Sequence, residues 1–191
     1  VRLLMFGGSF NPIHIGHLIL AEEARISLGY THVVLVPAST RPLKDLEDDP
    51  GPDARLAMTG AAARDDPSLI VWDGEIRRGG LSYSIDTVRE LGRSFDLDDR
   101  PGLLVGDDLL ESFIHWREAD ALSREAHIVC ARRDRAGRVE FPYEHDYLDN
   151  LLIPISSRMI RDRISSGLPY RRLVPDPVWR IIEDAGYYRR A

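Results

Sequence analysis

Several things this 191-residue chain has little of narrow its class at once. It has one cysteine, Cys130, so an intrachain disulfide is excluded. The setting His-Ile-Val-Cys-Ala reads as a buried strand, which makes Cys130 a core thiol. No apolar run approaches the roughly 20 residues that a bilayer-crossing helix needs. The chain opens on Arg2-Leu3-Leu4-Met5-Phe6 without the layout of a signal peptide, and a cytoplasmic protein is expected. Positive charge is in deficit, with a formal net charge of −6. That is the wrong sign for a surface that neutralises a phosphodiester backbone, so no nucleic-acid partner is expected. The Gly-x-Gly-x-x-Gly fingerprint of dinucleotide folds and the Gly-Lys-Ser/Thr ending of a P-loop are both missing, which disfavours a nicotinamide-dependent oxidoreductase and a P-loop site. What remains, 43% hydrophobic and 29% charged residues, is ordinary for a globular domain. The length fits a single core burying roughly two-thirds of the unfolded surface.

Short leucine-rich or β-branched runs at 3–6, 33–36, 69–72, 103–105, 128–131 and 151–153 alternate with helical patterns. The helices are expected at 16–28, 53–64, 84–95 and 107–113, with Ile15, Leu18, Ile19 and Ile26 forming the apolar face of the first. This alternation predicts βαβ units with right-handed crossovers, and hence a doubly wound, Rossmann-like parallel sheet in an α/β fold. After residue 154 the strands stop. Residues 156–165 and 175–185 read as two helices, the first capped by Ser156 or Ser157 and ended at Gly167, the second opened by Pro175 and Pro177. A single domain is expected, with core residues 1–154 and a small C-terminal helical subdomain at 155–191.

Chemistry concentrates first at Gly7-Gly8-Ser9-Phe10-Asn11-Pro12-Ile13-His14-Ile15-Gly16-His17. A strand, a glycine-rich turn and a helix start in succession aim backbone N–H groups and the helix dipole at one point, which suits a phosphate. His14 and His17, three residues apart at the helix start, can reach the same phosphates. Two histidines without a nearby carboxylate or cysteine make a poor zinc set. Simple capping of the helix is the alternative, and the pairing inside a glycine turn favours phosphate chemistry over it. Arg41, Lys44, Arg132, Arg133, Arg158, Arg161 and Arg163 can supply a local positive field for a small anionic ligand despite the net charge.

Gly8-x-Phe10-x-Pro12-x-His14-x-Gly16-His17 resembles the signature of the nucleotidyltransferase superfamily. The resemblance implies that Gly7, Gly8, Ser9, Phe10, His14 and His17 bind ATP and that the two histidines stabilise the transition state. The motif leaves the acceptor open among phosphopantetheine, a flavin precursor, glycerol phosphate and a pyridine mononucleotide.

Four later segments resemble bacterial nicotinate mononucleotide adenylyltransferases. Ser82-Tyr83-Ser84, at a helix start, would offer donors to a nicotinate carboxylate. Gly106-Asp107-Asp108 with Trp116 resembles the family's Gly-x-Asp turn and tryptophan, implying Gly106 and Asp108 at the ATP ribose and Trp116 stacked on the pyridinium ring. Trp72 and Trp179, in no such context, are expected to pack. Ile155-Ser156-Ser157-Arg158-Met159-Ile160-Arg161 resembles the family's Ile-Ser-Ser-Thr-x-x-Arg motif, with Arg158 in place of threonine. It implies Ser156, Ser157 and Arg161 at the ATP phosphates, Arg161 being also catalytic. Arg41-Pro42-Leu43-Lys44 matches a loop around the mononucleotide phosphate, with Leu43 where histidine is usual; Lys44 and Arg133 are the implied contacts. The resemblance therefore implies transfer of AMP from ATP to nicotinate mononucleotide, with Mg²⁺ held mainly by the ATP phosphates. A relative with another acceptor and a non-catalytic nucleotide sensor are the rival readings. The paired histidines and Arg161 argue against the sensor.

Overall fold

The computed structural model describes residues 1–39, 49–133 and 140–189. Six strands, β1 Leu3–Gly8, β2 His32–Pro37, β3 Leu69–Val71, β4 Gly102–Gly106, β5 His127–Ala131 and β6 His145–Leu148, form one sheet in the order β3-β2-β1-β4-β5-β6. Every neighbouring pair is parallel, with Leu4 opposite Val33 on one side and Gly102 on the other. This is the expected doubly wound α/β fold. Its strand order reverses between β1 and β4, where the crevice outside the strands' carboxyl ends is open to a ligand.

The period-two alternation of side chains divides the core. Leu4, Phe6, Val33, Leu35, Leu104 and Val129 face one layer, which holds α1 Ile15–Ser27, α2 Pro52–Ala63, α7 Ser157–Ser165 and α8 Asp176–Ala185. Leu3, Met5, Val34, Val36, Leu103, Val105, Ile128 and Cys130 face the other layer, with α4 Ser84–Ser94, α5 Leu110–Phe113 and α6 Ala119–Glu125. Cys130 is fully buried, and burial, with Asp107 and Asp146 adding to it, pushes its thiol up to about 12. Trp72 and Trp179 pack against the two cores as expected.

Three expectations fail for physical reasons. The last strand is β6 at His145–Leu148, not residues 151–153, and Leu151 is 64% exposed. As an edge strand, β6 carries polar side chains that do specific work, and a search for apolar runs passes over them. Tyr30 Oη bonds His127 Nδ1 at 2.9 Å, and His127 Nε2 faces Asp146 at 3.0 Å across β5 and β6. On α1 the fully buried residues are Ala21 and Ala24, with Leu18 and Leu20 beside them, while Ile26 is 62% exposed. Small side chains let the helix lie close to the sheet, so its inner face is the one with less bulk. The expected helix at 107–113 splits into a 3₁₀ turn at Asp107–Leu109 and the single turn of α5. Two short helices, α3 Gly74–Arg78 and α6, were not anticipated.

The C-terminal pattern holds more closely. Ser156 caps α7 by accepting from Met159 N–H at 3.1 Å, and Gly167 follows at φ +67°. Pro175 precedes α8, and Val178 and Ile182 join the core shared with α1 and α2.

Candidate active site

Because all six strands are parallel, the connections leaving β1, β2, β3, β4, β5 and β6 emerge at one edge of the sheet. The candidate residues on described segments lie on these connections or, like Gly7, Gly8 and Gly106, at the carboxyl ends of the strands that lead into them, and the cradle at the end of β1 stands at the reversal point.

The cradle is built around Phe10. Its backbone has φ +45°, a left-handed conformation that costs a non-glycine residue energy, and its ring is 1% exposed. The ring folds back beneath Gly8, where any Cβ would lie 2.8 Å from Phe10 Cε1. It meets Phe6 and His17 edge-on, at 5.6 and 5.1 Å between centroids. Phe10 thus supports His17 from below. Its side chain is sealed from the crevice, so the ATP contact implied for it can come only through its backbone. Gly7 is exposed, and Gly8 and Ser9 are half-buried, at the mouth of the turn.

His14 and His17 stack, with centroids 3.6 Å apart and planes 24° from parallel. The His14 backbone N–H donates to His17 Nδ1 at 3.2 Å. As an acceptor there, Nδ1 leaves Nε2 to carry the neutral ring's N–H, which makes His17 an oriented donor. His14 is 5% exposed, and burial, helped by the charge of Arg133, lowers it from 6.5 to about 4. It is neutral at pH 7, and its Nδ1 is buried without a hydrogen-bond partner among the described residues. The space at Gly16 is taken by the His14 ring, 3.2 Å from where a Cβ would stand, so this glycine admits the histidine stack. The first turn of α1 contains no acidic residue to oppose an anion.

The amino end of α7 closes on the same turn. Ser157 Oγ donates to Pro12 O at 2.9 Å, and Arg161 donates to Asn11 O at 2.8 Å. Tyr188 Oη donates to Asn11 Oδ1 at 2.7 Å from the far end of the chain. The first turn of α7 also lacks an acid, so two helix amino ends, those of α1 and α7, meet at one anion-ready place. Arg158, exposed on the next residue of α7, leaves Ser157 and Arg161 to make these contacts.

Beyond β4 and β5, Asp107 is buried and accepts from Arg133 N–H at 2.9 Å and from Tyr147 Oη at 3.0 Å. Its neighbour Asp108 points outward at the Gly106 turn and faces Arg133 Nε at 3.6 Å. Arg132 is turned away into an ion pair with Asp149.

The pyridine-side candidates form a second group. Tyr83 stands at the start of α4, whose amino end has no side-chain cap, and the Arg117 guanidinium lies 4.8 Å from the Tyr83 ring centroid. Trp116 stacks one face on Phe113 at 4.9 Å. Ser82 and Ser84 flank Tyr83, half-buried, and Ser82 Oγ is buried without a hydrogen-bond partner among the described residues. Arg41, Leu43 and Lys44 lie outside the described residues.

Sequence reading overlooked Arg55. It is 2% exposed on α2, and its guanidinium donates to Ser9 O at 2.9 Å, Ala38 O at 2.6 Å, Ser39 O at 2.9 Å and Asp49 Oδ1 at 3.1 Å. An arginine among the apolar and alanine positions of a helix was the only available signal, and it did not name its partners.

Comparison with known proteins supports the same reading. The family model described as cytidylyltransferase-like matches residues 5–163. A protein of Borrelia garinii named probable nicotinate-nucleotide adenylyltransferase is 33% identical over 188 residues, 98% of this chain and 95% of its own length. One of the same name from Shouchella clausii is 35% identical over 187 residues, 98% and 96% of the two chains. This chain belongs to the nicotinate-nucleotide adenylyltransferases. Among solved structures, the nicotinic acid mononucleotide adenylyltransferase of Plasmodium falciparum complexed with NaAD superposes with a TM-score of 0.77. Its sequence identity is 16%, and the match covers 98% of this chain and 97% of that one, a likeness of fold. Family membership makes the chain a nucleotidyltransferase enzyme with a Rossmann-like core. No helix of its described residues is long and apolar enough to cross a membrane.

Proposed function

We propose that the protein transfers AMP from ATP to nicotinate mononucleotide, giving nicotinate adenine dinucleotide and pyrophosphate, a step of NAD biosynthesis. The observation that carries this reading is the meeting of the His14–His17 stack with the amino end of α7 and Arg161 on one turn. A mononucleotide phosphate oxygen attacks the α-phosphorus of ATP, and the bond to the bridging oxygen of the departing pyrophosphate breaks. No covalent enzyme intermediate is required. Alignment of two bound reactants alone can supply about 7–11 kcal/mol of barrier reduction, which suits a site that works by position and charge. His17 Nε2–H donates where negative charge develops. The amides opening α1 and α7, with Ser156, Ser157 and the remaining N–H groups of Arg161, hold the polyphosphate. Asp108 accepts from the ATP ribose. On the acceptor side Lys44 and Arg133 meet the phosphate, Trp116 offers a ring face to the pyridinium, and Ser82, Tyr83 and Ser84 present the α4 amino end to the carboxylate.

Among the described residues no three His, Cys, Asp or Glu side chains gather as metal ligands. Mg²⁺ would arrive on ATP, held mainly through its phosphates, and would supply neutralising charge there. The deciding experiment is pyrophosphate release from ATP with Mg²⁺, comparing nicotinate mononucleotide, nicotinamide mononucleotide and phosphopantetheine. Release is expected with nicotinate mononucleotide; activity with phosphopantetheine alone would overturn the acceptor.

A further inference from the structure

We infer that Arg55 is a positioning residue for the acceptor, a buried brace that sets the distance between the phosphate cradle and both ends of the segment 40–48. The inference rests on the reading that Lys44, within that segment, meets the mononucleotide phosphate. Ser39 and Asp49 are the described residues that bound the segment, and Arg55 holds both: NH2 donates to Ser39 O and Nε to Asp49 Oδ1. Through NH1 the same guanidinium holds Ser9 O in the cradle and Ala38 O at the end of β2. One side chain thus ties the connection leaving β1 to the connection leaving β2.

The chemistry of the residue argues for a purpose beyond packing. Burying a guanidinium is costly, and an apolar side chain of similar volume would fill the same space with less desolvation. What an apolar side chain cannot do is donate in several fixed directions from one plane. All four acceptors of Arg55 lie in connections at the carboxyl edge, so the bonds fix loop against loop. Asp49 is itself fixed, accepting from Gly51 N–H at 3.0 Å just before α2 begins. The cradle has other supports on the ATP side, namely Arg161, Ser157 and Tyr188 at Asn11 and Pro12. The end of the segment at Asp49 has Arg55 as its cationic partner. Loss of the brace therefore falls on the acceptor more than on ATP.

The test is steady-state kinetics of Arg55→Met, Arg55→Lys and Asp49→Ala, with thermal melting of each. Arg55→Met is expected to raise the acceptor KM at least about tenfold, the scale of losing hydrogen bonds to a charged group, while the ATP KM stays within about twofold. Lysine, with three donors on a flexible stem, should recover part of that loss. Asp49→Ala should raise the acceptor KM several-fold. Equal changes in both KM values, or a lower melting temperature and turnover with both KM values unchanged, would reduce Arg55 to a structural role and overturn the inference. If Arg55→Met does not fold, Asp49→Ala decides, and an unchanged acceptor KM there overturns it too. Should the wild type use phosphopantetheine alone, the acceptor assignment fails separately, and the KM split is read with that acceptor.

Discussion

The cradle at residues 7–17 and the pyridine-side group of Ser82, Tyr83, Ser84 and Trp116 lie at the same edge of the sheet, yet they are held in different ways. The cradle is fixed from three directions by hydrogen bonds: Arg55 on α2, Ser157 and Arg161 on α7, and Tyr188 near the chain's end. Phe10 and His14 are buried, and the half-buried ring of His17 packs on both. The pyridine-side group depends on ring contacts, Arg117 over Tyr83 and Trp116 on Phe113, and its members are half-buried. The difference matches the two tasks proposed for them. Stabilising charge at phosphorus requires groups that need no reorganisation when the reaction occurs, whereas recognising a flat ring requires a face and a few donors and tolerates adjustment.

The strongest way to break this contrast is at His17. His17→Ala should lower turnover by at least about 100-fold, the usual scale for removing a pre-aligned stabiliser, with the acceptor KM unchanged and the fold intact by circular dichroism. A loss expressed mainly in acceptor KM would move His17 to the other group.

His14 sharpens the point through stability. Its folded value is lowered to about 4 from 6.5, so between those values the unfolded chain binds the proton more readily. The contribution is full above about pH 6.5 and is lost as pH falls toward 4, by as much as about 3 kcal/mol. Denaturation measured between pH 7 and 4 should show this slope in the wild type and a smaller one in His14→Asn. An identical slope in the variant would mean that the buried ring does not govern it.

The smallest effect is expected at Trp116. Trp116→Ala should raise the acceptor KM about five- to tenfold, the scale of a cation–π contact worth about 1 kcal/mol, and leave the ATP KM unchanged. An equal rise in ATP KM would erase the distinction between the two groups.

How much of this was legible in the sequence depends on how local each determinant is. The cradle is contiguous, so its strand, turn and histidines could be recognised together, and the Ser156 cap is likewise settled within four residues. Arg55 could not be recognised, since Ser9, Ala38, Ser39 and Asp49 become its partners only when β1, β2 and α2 come together. The edge strand β6 was missed because His145 and Asp146 do not read as apolar, and its pairing with β5 supplies the reason for them. The inner face of α1 was misjudged because Ala21 and Ala24 carry less apolar bulk than Ile26.

Cys130 has a practical consequence. The only thiol in the chain is buried with its ionisation suppressed, so alkylating reagents, which attack the thiolate, should leave it untouched in the folded protein. The wild-type protein is therefore a silent background for site-directed labelling. A single cysteine introduced at an exposed position such as His115, beside Trp116, would be the one place a fluorophore attaches, and it would report directly on how the pyridine-side group moves when each substrate arrives.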